Sequence, residues 1–356
     1  MKKSAWLVRF LSGCLLVLLI TVSCGGQVRY PGEHWELVDR PEDFGYSSAR
    51  LKQAEEYAAT IDTAAVMIIV EGALIYQWGD VSKKYITHST RKSFLSALYG
   101  KYVHSGAIDL DKTMKELGID DEPELTEQEK SATIRDCLKA RSGVYHTAEA
   151  ESAGMHNLKP ERGTFRAGEF WLYNNWDFNV LGTIFQKVTG KNIFQALKED
   201  IGDPIGMEDF MPEDGRSFRT NRSRHEAYMF IISARDMARF GLLFLRRGGW
   251  DGTQIIPEEW VEESTAYFSD ATIYRSDGYG YMWWVAKHHN KYPHFPHVEL
   301  EEGTYSARGA GGHYLVVIPD RDMVVVHRVN TFKRGENVTP VQFGKLLRMI
   351  LDARME

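Results

Sequence analysis

The stretch HSTRKSFLSALYG (88–100) decides the fold, because it places Ser89 three residues before Lys92 at the start of an apolar segment. Residues i and i+3 share one face of a helix, so a helix here would direct the hydroxyl and the amine to the same spot. A lysine whose pKa is lowered by burial can activate a serine for nucleophilic attack. A simpler alternative remains: Ser89 only caps the helix and Lys92 lies on the surface.

The composition is that of an ordinary globular protein. The chain has 356 residues, of which 43% are hydrophobic and 26% are charged. This length can bury a large core, as one large domain or as two closely joined ones. The net charge is −6, and residues of both signs are mixed along the chain. It gives no indication of nucleic acid or acidic lipid as a partner.

The N-terminus has the features of an export signal. Lys2, Lys3 and Arg9 precede the apolar run FLSGCLLVLLITV (10–22), which is too short for a comfortable membrane span. The run ends at Ser23-Cys24-Gly25, which resembles the processing site of bacterial lipoproteins. The resemblance implies that Cys24 is acylated and becomes the first residue of the mature chain. An uncleaved anchor is the alternative, and it too would place the rest outside the cytoplasmic membrane.

These features predict the organisation of the chain. We expect a signal peptide at 1–23, a tether at 24–44 and one domain at 45–356, held in the bacterial cell envelope, in the periplasm or at the outer membrane. The membrane is then a partner only through the lipid anchor. With Cys14 removed and Cys24 acylated, Cys137 remains alone, so we expect no intramolecular disulfide.

Two apolar hairpins flank a helical middle. AAVMIIVEGALIYQWG (64–79) reads as two strands around Glu71-Gly72, and GHYLVVIPDRDMVVVHRVN (312–330) reads as two more. Helical patterns begin after Asn175 and after Ser233, and a last one covers 341–354. The pattern predicts an α/β chain of the α+β type, with an antiparallel sheet flanked by helices and a mostly helical lobe. The cleft between sheet and lobe is the expected site.

Two further motifs bear on the chemistry. In FWLYNNWDFNVLGTIF, Tyr173 and Asn175 stand at the start of a helix. A tyrosine, a lysine and a serine brought together could pass one proton, and Asn175 could offer its amide to a substrate carbonyl. An aromatic packing residue followed by a helix cap is the alternative. In SARGAGGHYLVVIP (306–319), glycine permits close approach of a substrate to the backbone, or simply a loop entering a strand.

The order S-x-x-K, Y-x-N and a glycine-containing strand resembles the serine β-lactamase and penicillin-binding-protein fold, particularly class C enzymes and their esterase-like relatives. Longer stretches, such as ERGTFRAGEFWLYNNWDFNVLGTIF (161–185) and SARDMARFGLLFLRRGGW (233–250), are similar to nylon-oligomer (aminohexanoate-dimer) hydrolases. The resemblance runs from about residue 45 to the C-terminus. It implies a β-lactamase/transpeptidase-like fold and a serine hydrolase without metal or organic cofactor.

The resemblance also assigns roles to individual residues. It makes Ser89 the nucleophile that forms an acyl-enzyme, and it makes Lys92 and Tyr173 the general base and acid relay. Asn175 would orient the substrate and the lysine. The K-T-G motif of the family falls on residues 307–309, so the backbone N–H groups of Ser89 and Ala310, next to Gly309, would form the oxyanion hole. Each such donor typically contributes a few kcal/mol to transition-state stabilisation.

The chain departs from penicillin-recognising members where Ala307 replaces the K-T-G lysine, with only Arg308 nearby to bind a carboxylate. We therefore expect a small-molecule ester or amide as the substrate. Two alternatives stay open. One is a β-lactamase or D-alanyl-peptide hydrolase that acts on cell-wall material, and the other is a non-catalytic binding lipoprotein of the same fold.

Some residues near these motifs are ambiguous. Tyr145-His146 lies in RSGVYHTAEA, which also matches the family, and it is either a substrate contact or a packing pair. The spacing of four histidines fits no compact zinc site, and the Pro, Asn and Lys around them are typical of an exposed loop: His288, His289, His294 and His297. We expect no metal there.

The lipoprotein interpretation predicts that labelled fatty acid enters the wild-type protein and does not enter a Cys24→Ala variant. Incorporation would be read from the labelled band after delipidation and electrophoresis. Label in both proteins, or in neither, would contradict acylation at Cys24.

Overall fold

The computed structural model describes residues 28–288 and 291–356. The predicted signal peptide and Cys24 lie outside the described residues, as does His289. The centre of the fold is one antiparallel sheet that joins both predicted hairpins, so the predicted fold class is confirmed.

Eight strands of the described chain form this sheet in the spatial order β2-β1-β14-β13-β12-β11-β10-β9. Three small pairs lie outside it: β3 with β6, β4 with β5, and β7 with β8. The strands are β1 Thr63–Val70, β2 Ala73–Gly79, β3 Tyr85–Ile86, β4 Arg216–Phe218, β5 Ala227–Met229, β6 Ile231–Ile232, β7 Gly249–Trp250, β8 Thr253–Gln254, β9 Ser269–Asp270, β10 Gly278–Tyr279, β11 Trp284–Val285, β12 Tyr305–Gly309, β13 His313–Ile318 and β14 Met323–Val329.

The two hairpins meet through β1 and β14, which come from opposite ends of the domain. In this antiparallel pair Val66 lies opposite His327 and Ile68 lies opposite Val325. The hairpin turns also meet, because the backbone N–H of Glu71 donates to the carbonyl of Asp322 at 2.9 Å. This pairing joins the N-terminal hairpin, β1 and β2, to the C-terminal hairpin, β13 and β14, in one sheet.

Both faces of the central strands are covered, which explains why β1 is apolar throughout rather than alternating. Met67 and Ile69 point into the core shared with the helical lobe, whereas Val66, Ile68 and Val70 point into a second core on the other face. Successive strand residues face opposite sides of a sheet, so a continuous apolar run needs a covering layer on each side.

Helices supply those two layers. The first helix and the last helix pack together over one face, and α8 packs on β13 and β14 from the other, where the lobe also lies. The α-helices of the described chain are α1 Ser48–Ala58, α2 Arg91–His104, α3 Glu127–Lys130, α4 Ile134–Leu138, α5 Ala153–Asn157, α6 Asn175–Thr189, α7 Ile193–Leu197, α8 Ala234–Leu245, α9 Glu258–Ser264 and α10 Pro340–Asp352.

The predicted starts of α6 and α8 are confirmed, whereas the last helix ends at Asp352, two residues before the predicted end at 354. The helix α6 begins at Asn175 and ends at Gly190, which adopts the left-handed conformation (φ 71°) that favours glycine. The Ser233 hydroxyl caps α8 by accepting from the backbone N–H of Asp236 at 3.2 Å.

The described part of the predicted tether, residues 28–44, lies against the domain. The indole N–H of Trp35 donates to the carbonyl of Arg235 at 3.0 Å, and Arg239 donates to the carbonyls of Gly32 and Glu33. The backbone N–H of Val38 also donates to a carbonyl of β2. These residues are therefore part of the folded unit. No helix in the described ranges is long and apolar enough to cross a membrane.

The packing of α8 on the sheet depends on Gly241. A Cβ atom there would lie 2.6 Å from Val324 Cγ1 and 2.7 Å from Leu315 Cδ1. We expect Gly241→Ala to lower the free energy of unfolding by about 1–3 kcal/mol, since overpacking outweighs the better helix propensity of alanine. Chemical denaturation would measure this change.

Gly154 in α5 is the matched control, because a Cβ there meets nothing closer than Ser152 Oγ at 3.9 Å. Gly154→Ala should be neutral or stabilising by up to about 1 kcal/mol. Equal stability changes for the two variants would contradict the packing argument.

Candidate active site

Ser89 lies in a 3₁₀ turn, His88–Thr90, that leads directly into α2. No side-chain cap is found at the start of this turn or of α2, so the serine hydroxyl is not used as a helix cap. Lys92, in the first turn of α2, is only 1% exposed. The simpler alternative of a capping serine with a surface lysine is therefore wrong.

The amine of Lys92 joins the serine to a tyrosine. Its Nζ atom lies 2.8 Å from Ser89 Oγ and 2.6 Å from the hydroxyl oxygen of Tyr173. The same Nζ atom is 4.2 Å from the centroid of the Tyr173 ring and 4.6 Å from that of Phe178. The three predicted residues thus form one hydrogen-bonded chain in largely apolar surroundings.

Tyr173 stands just before α6, and aromatic neighbours hold its ring. The ring lies 5.2 Å from that of Trp284 and 5.8 Å from that of Tyr279, between centroids. The hydroxyl of Tyr274 donates to the Tyr173 carbonyl at 3.1 Å. The cap of α6 is Asn174, whose side chain accepts from the backbone N–H of Trp176. Asn175 is therefore not needed as the cap and is free for another use.

Burial sets the protonation of the relay. It drives the pKa of Lys92 well below its usual range, with the nearby positive charge of Arg91 acting in the same direction. It also raises the pKa of Tyr173 to about 12, partly opposed by the Ser89 hydrogen bond. Near neutral pH the tyrosine is therefore a neutral phenol. Burial thus shifts the amine towards the neutral form that has a free lone pair, which is the form a base needs.

Asn175 lines the cavity, but it does not contact the lysine. Its side-chain N–H donates to the carbonyl of Ala150 at 2.6 Å, and this bond fixes the amide. Its Oδ1 atom is buried without a hydrogen-bond partner among the described residues. The amide can thus offer an acceptor to a substrate. The expected orientation of Lys92 by Asn175 is absent from the structure.

The strand β12 brings Gly309 and Ala310 to the serine. A Cβ atom on Gly309 would lie 2.5 Å from the carbonyl oxygen of Thr87 and 3.4 Å from His88 Cβ. Only glycine therefore lets the strand end approach the serine turn this closely. Ser89 and Ala310 both line the same cavity, which is the placement expected of an oxyanion hole.

Ala307 and Arg308 differ in placement. Ala307 is buried, at 2% exposure. The guanidinium of Arg308 lines the cavity and donates to Ser306 Oγ and Ser276 Oγ, both at 3.0 Å, while its NH2 atom has no partner among the described residues. Burial lowers the pKa of Arg308 to about 10, so it remains charged at neutral pH.

The cavity above Ser89 has a volume of about 450 Å³. No aspartate or glutamate is found among the described residues that line it. Besides the residues already placed there, the lining includes His88, Arg91, Met155, Tyr274, Trp284 and Phe295. The lining combines aromatic residues with two arginines.

The four histidines do not form one exposed loop as predicted, because His294 is buried. Its Nδ1 atom lies 2.9 Å from Asp277 Oδ1, and its Nε2 atom lies 2.8 Å from Ser306 Oγ. It therefore supports the serine that accepts from Arg308. His288 and His297 are exposed. In the described ranges no group of three or more His, Cys, Asp or Glu side chains could hold a metal.

Tyr145 and His146 do not line the cavity. Both are buried, at 7% and 4% exposure, and the His146 ring lies 6.5 Å from that of Trp176. The structure favours the packing alternative for this pair.

Sequence reasoning missed several polar residues of the cavity, among them His88 and Arg91. Both lie within two residues of Ser89 in the same motif, and this proximity was the only available signal. The cavity residues from the loop before α5, such as Ala150 and Ser152, carry no pattern that could have indicated them.

Known proteins resemble this chain in sequence pattern and in fold. The sequence pattern of the β-lactamase family matches residues 51–342. A Bacillus anthracis protein assigned as a 6-aminohexanoate-dimer hydrolase is similar in structure, with a TM-score of 0.64, 21% identity and coverage of 91% of this chain and 86% of that one.

Two further solved structures share the fold. A penicillin-binding protein homologue from Caulobacter crescentus has a TM-score of 0.63 at 15% identity, covering 87% of this chain and 99% of its own. A β-lactamase from Mycobacterium bovis has a TM-score of 0.62 at 17% identity, covering 85% and 100%. At such identities these structures establish the fold alone. Together with the match over residues 51–342, they show that the chain belongs to the β-lactamase family.

Proposed function

We propose that this protein is an exported serine hydrolase that cleaves an ester or amide bond through an acyl-enzyme on Ser89. The observation that carries the proposal is the position of the Lys92 amine, within hydrogen-bond distance of both Ser89 Oγ and the Tyr173 hydroxyl. A buried lysine with a lowered pKa, in contact with a serine, is an arrangement that can activate the serine as a nucleophile.

In the first half-reaction the Ser89 oxygen attacks the substrate carbonyl carbon, and the serine proton passes to Lys92. The carbonyl oxygen takes up the negative charge and is stabilised by the backbone N–H groups of Ser89 and Ala310. The bond to the leaving group then breaks. The leaving alcohol or amine receives the proton from Lys92, with Tyr173 in the same hydrogen-bonded chain.

In the second half-reaction a water molecule replaces the leaving group. Lys92 accepts a proton from this water as its oxygen attacks the acyl carbon. The ester bond to Ser89 breaks, and the proton returns to the serine oxygen. The net reaction consumes one water and releases an acid together with an alcohol or amine.

The lining of the cavity supports an ester or amide rather than a β-lactam. Ala307 is buried where penicillin-recognising relatives carry the lysine of K-T-G. Aromatic rings, including those of Tyr274, Trp284 and Phe295, supply apolar surface for an acyl or leaving group.

Arg308 favours a second candidate, a β-lactamase or D-alanyl-peptide hydrolase. Its guanidinium lines the cavity and keeps its charge at neutral pH, so it could accompany a substrate carboxylate. Its NH2 atom is buried, however, and a carboxylate would need a shift of the surrounding side chains to reach it. We therefore rank this candidate second.

Export and lipid attachment at Cys24 are also part of the proposal. Their support is the N-terminal sequence, with its basic residues, apolar run and Ser23-Cys24-Gly25. The enzyme would then meet small-molecule substrates in the cell envelope.

The mechanism predicts that a fluorophosphonate attaches covalently to Ser89, with the added mass in the peptide that holds residues 88–92. Ser89→Ala and Lys92→Ala should each remove most turnover of a nitrophenyl ester. The double variant should lose little more, because members of one catalytic unit are strongly non-additive. Tyr173→Phe should lose most of its activity, because it lacks the hydroxyl that contacts Lys92. It should remain folded, because nothing else in the side chain changes.

Thermal unfolding of each variant is the control for folding. If Ser89 only stabilised the start of the helix, its replacement by alanine would lower the free energy of unfolding by about 1 kcal/mol and leave the activity intact. Full esterase activity in a folded Ser89→Ala protein would overturn the mechanism and favour a non-catalytic binding role.

The replacement of lysine by Ala307 predicts a substrate order. The specificity constant for the best short-chain nitrophenyl ester should exceed that for a chromogenic cephalosporin by at least about tenfold, or roughly 1.4 kcal/mol of transition-state discrimination. A panel that also contains aminohexanoate oligomers and D-alanyl dipeptides would measure it. Cephalosporin turnover equal to that of the best ester would favour the second candidate.

A further inference from the structure

A second cation lies beside the proposed base. Arg91 precedes Lys92 in α2, and both residues are 1% exposed. The guanidinium of Arg91 donates from NH2 to Asn179 Oδ1 at 2.8 Å and lies 4.2 Å from the centroid of the Tyr228 ring. The Asn179 amide is itself fixed, because its Nδ2 atom donates to the carbonyl of Glu149 at 3.0 Å. Arg91 is thus held by neutral groups.

Neither cation has a counter-ion within the described part of the chain. Among the described residues no carboxylate lies within ion-pair distance of Arg91 or of Lys92. The Nε and NH1 atoms of Arg91 are buried and have no hydrogen-bond partner there. Water does not reach these atoms, so the charge of the guanidinium is poorly screened.

Two buried cations on successive residues of one helix, with no carboxylate among the described residues to pair with them, oppose each other's charge. A guanidinium does not give up its proton in proteins, whereas a buried lysine does so readily. The lysine is therefore the group whose charged form is disfavoured. The contacts of Lys92 agree with this, because Ser89 and Tyr173 are both uncharged hydroxyl groups.

We propose that Arg91 is a positioning residue for the reaction: its unpaired charge keeps the Lys92 amine in the neutral form that accepts the serine proton. The inference rests on the proposed function, since it concerns the protonation of the same base. It gives a role to a buried arginine that makes no ion pair with any described residue.

The other groups around Lys92 do not cancel this charge. Aromatic residues surround the lysine: Tyr173 just before α6, Phe178 in α6 and Tyr279 in β10. The strand β12 carries Arg308, which is a further cation. The helix α6 also carries Asp177, which accepts from Ser142 and Asn174. Burial raises the pKa of Asp177 to about 8, so near neutral pH it is mostly uncharged.

The test is the pH dependence of Ser89 labelling by a fluorophosphonate, followed by intact mass. Labelling needs the neutral lysine, so its rate rises through the pKa of Lys92. Replacement Arg91→Met removes the charge and keeps an unbranched side chain against Tyr228. We expect the midpoint to move up by at least about one pH unit, which lowers the rate about tenfold at any pH below both midpoints. The rates should converge at high pH.

A second variant leaves Arg91 in place. Asn179→Asp puts a carboxylate of nearly the same shape beside the guanidinium and neutralises its charge. Its midpoint should also move up. Asn179→Ser is the matched control, because it loses the amide without adding a charge, and its midpoint should stay at the wild-type value.

The outcomes separate the two proposals. In one outcome, both charge variants are labelled more slowly at every pH while the midpoint stays unchanged. That result would show a purely structural role for Arg91, and it would overturn this inference while leaving the proposed function intact. Should Arg91→Met fail to fold, the Asn179→Asp result decides. A wild-type protein that is not labelled at Ser89 at any pH would instead overturn the proposed function.

Discussion

The removal of the Lys92 amine from water is the constraint on which the site depends. A charged ammonium in such a place would need a carboxylate, and burying it unpaired would cost several kcal/mol. The fold supplies hydroxyl groups and aromatic rings instead, so the amine is stable there only when neutral. The same burial that makes the lysine costly as a cation makes it useful as a base.

The sheet makes this burial possible. The strand β1 pairs with β14, and two strands, β14 and β13, separate β1 from β12 in the same sheet. The end of β12 then approaches the serine turn at Gly309, where a side chain would collide with the Thr87 carbonyl. The lobe closes over the other side and contributes Tyr173 at the start of α6. The site therefore joins three segments that are far apart in sequence.

Hydrogen bonds also fix polar residues around the cavity. Hydrogen bonds link Asp277 to His294 and His294 to Ser306. The Ser306 hydroxyl in turn accepts from the Arg308 guanidinium. Asn175 is fixed by the Ala150 carbonyl and presents an unpaired oxygen. These contacts fix two polar groups beside the aromatic residues of the lining, and placed polar groups in a partly apolar pocket are typical of a selective small-molecule site.

The sequence by itself determined the hairpins, the helix ends and the three residues of the relay. Strand patterns and caps are local, and Ser89 and Lys92 are only three residues apart, so short-range physics suffices for them. Tyr173 was found through the family resemblance of its motif. Tertiary structure alone decided which polar residues face the cavity. His294 looked exposed from its Pro- and Lys-rich neighbours but is buried against Asp277, and Tyr145-His146 packs away from the cavity. Arg91 carries no local mark of its role, because an unpaired charge is defined by every element that surrounds it rather than by its own neighbours in the chain.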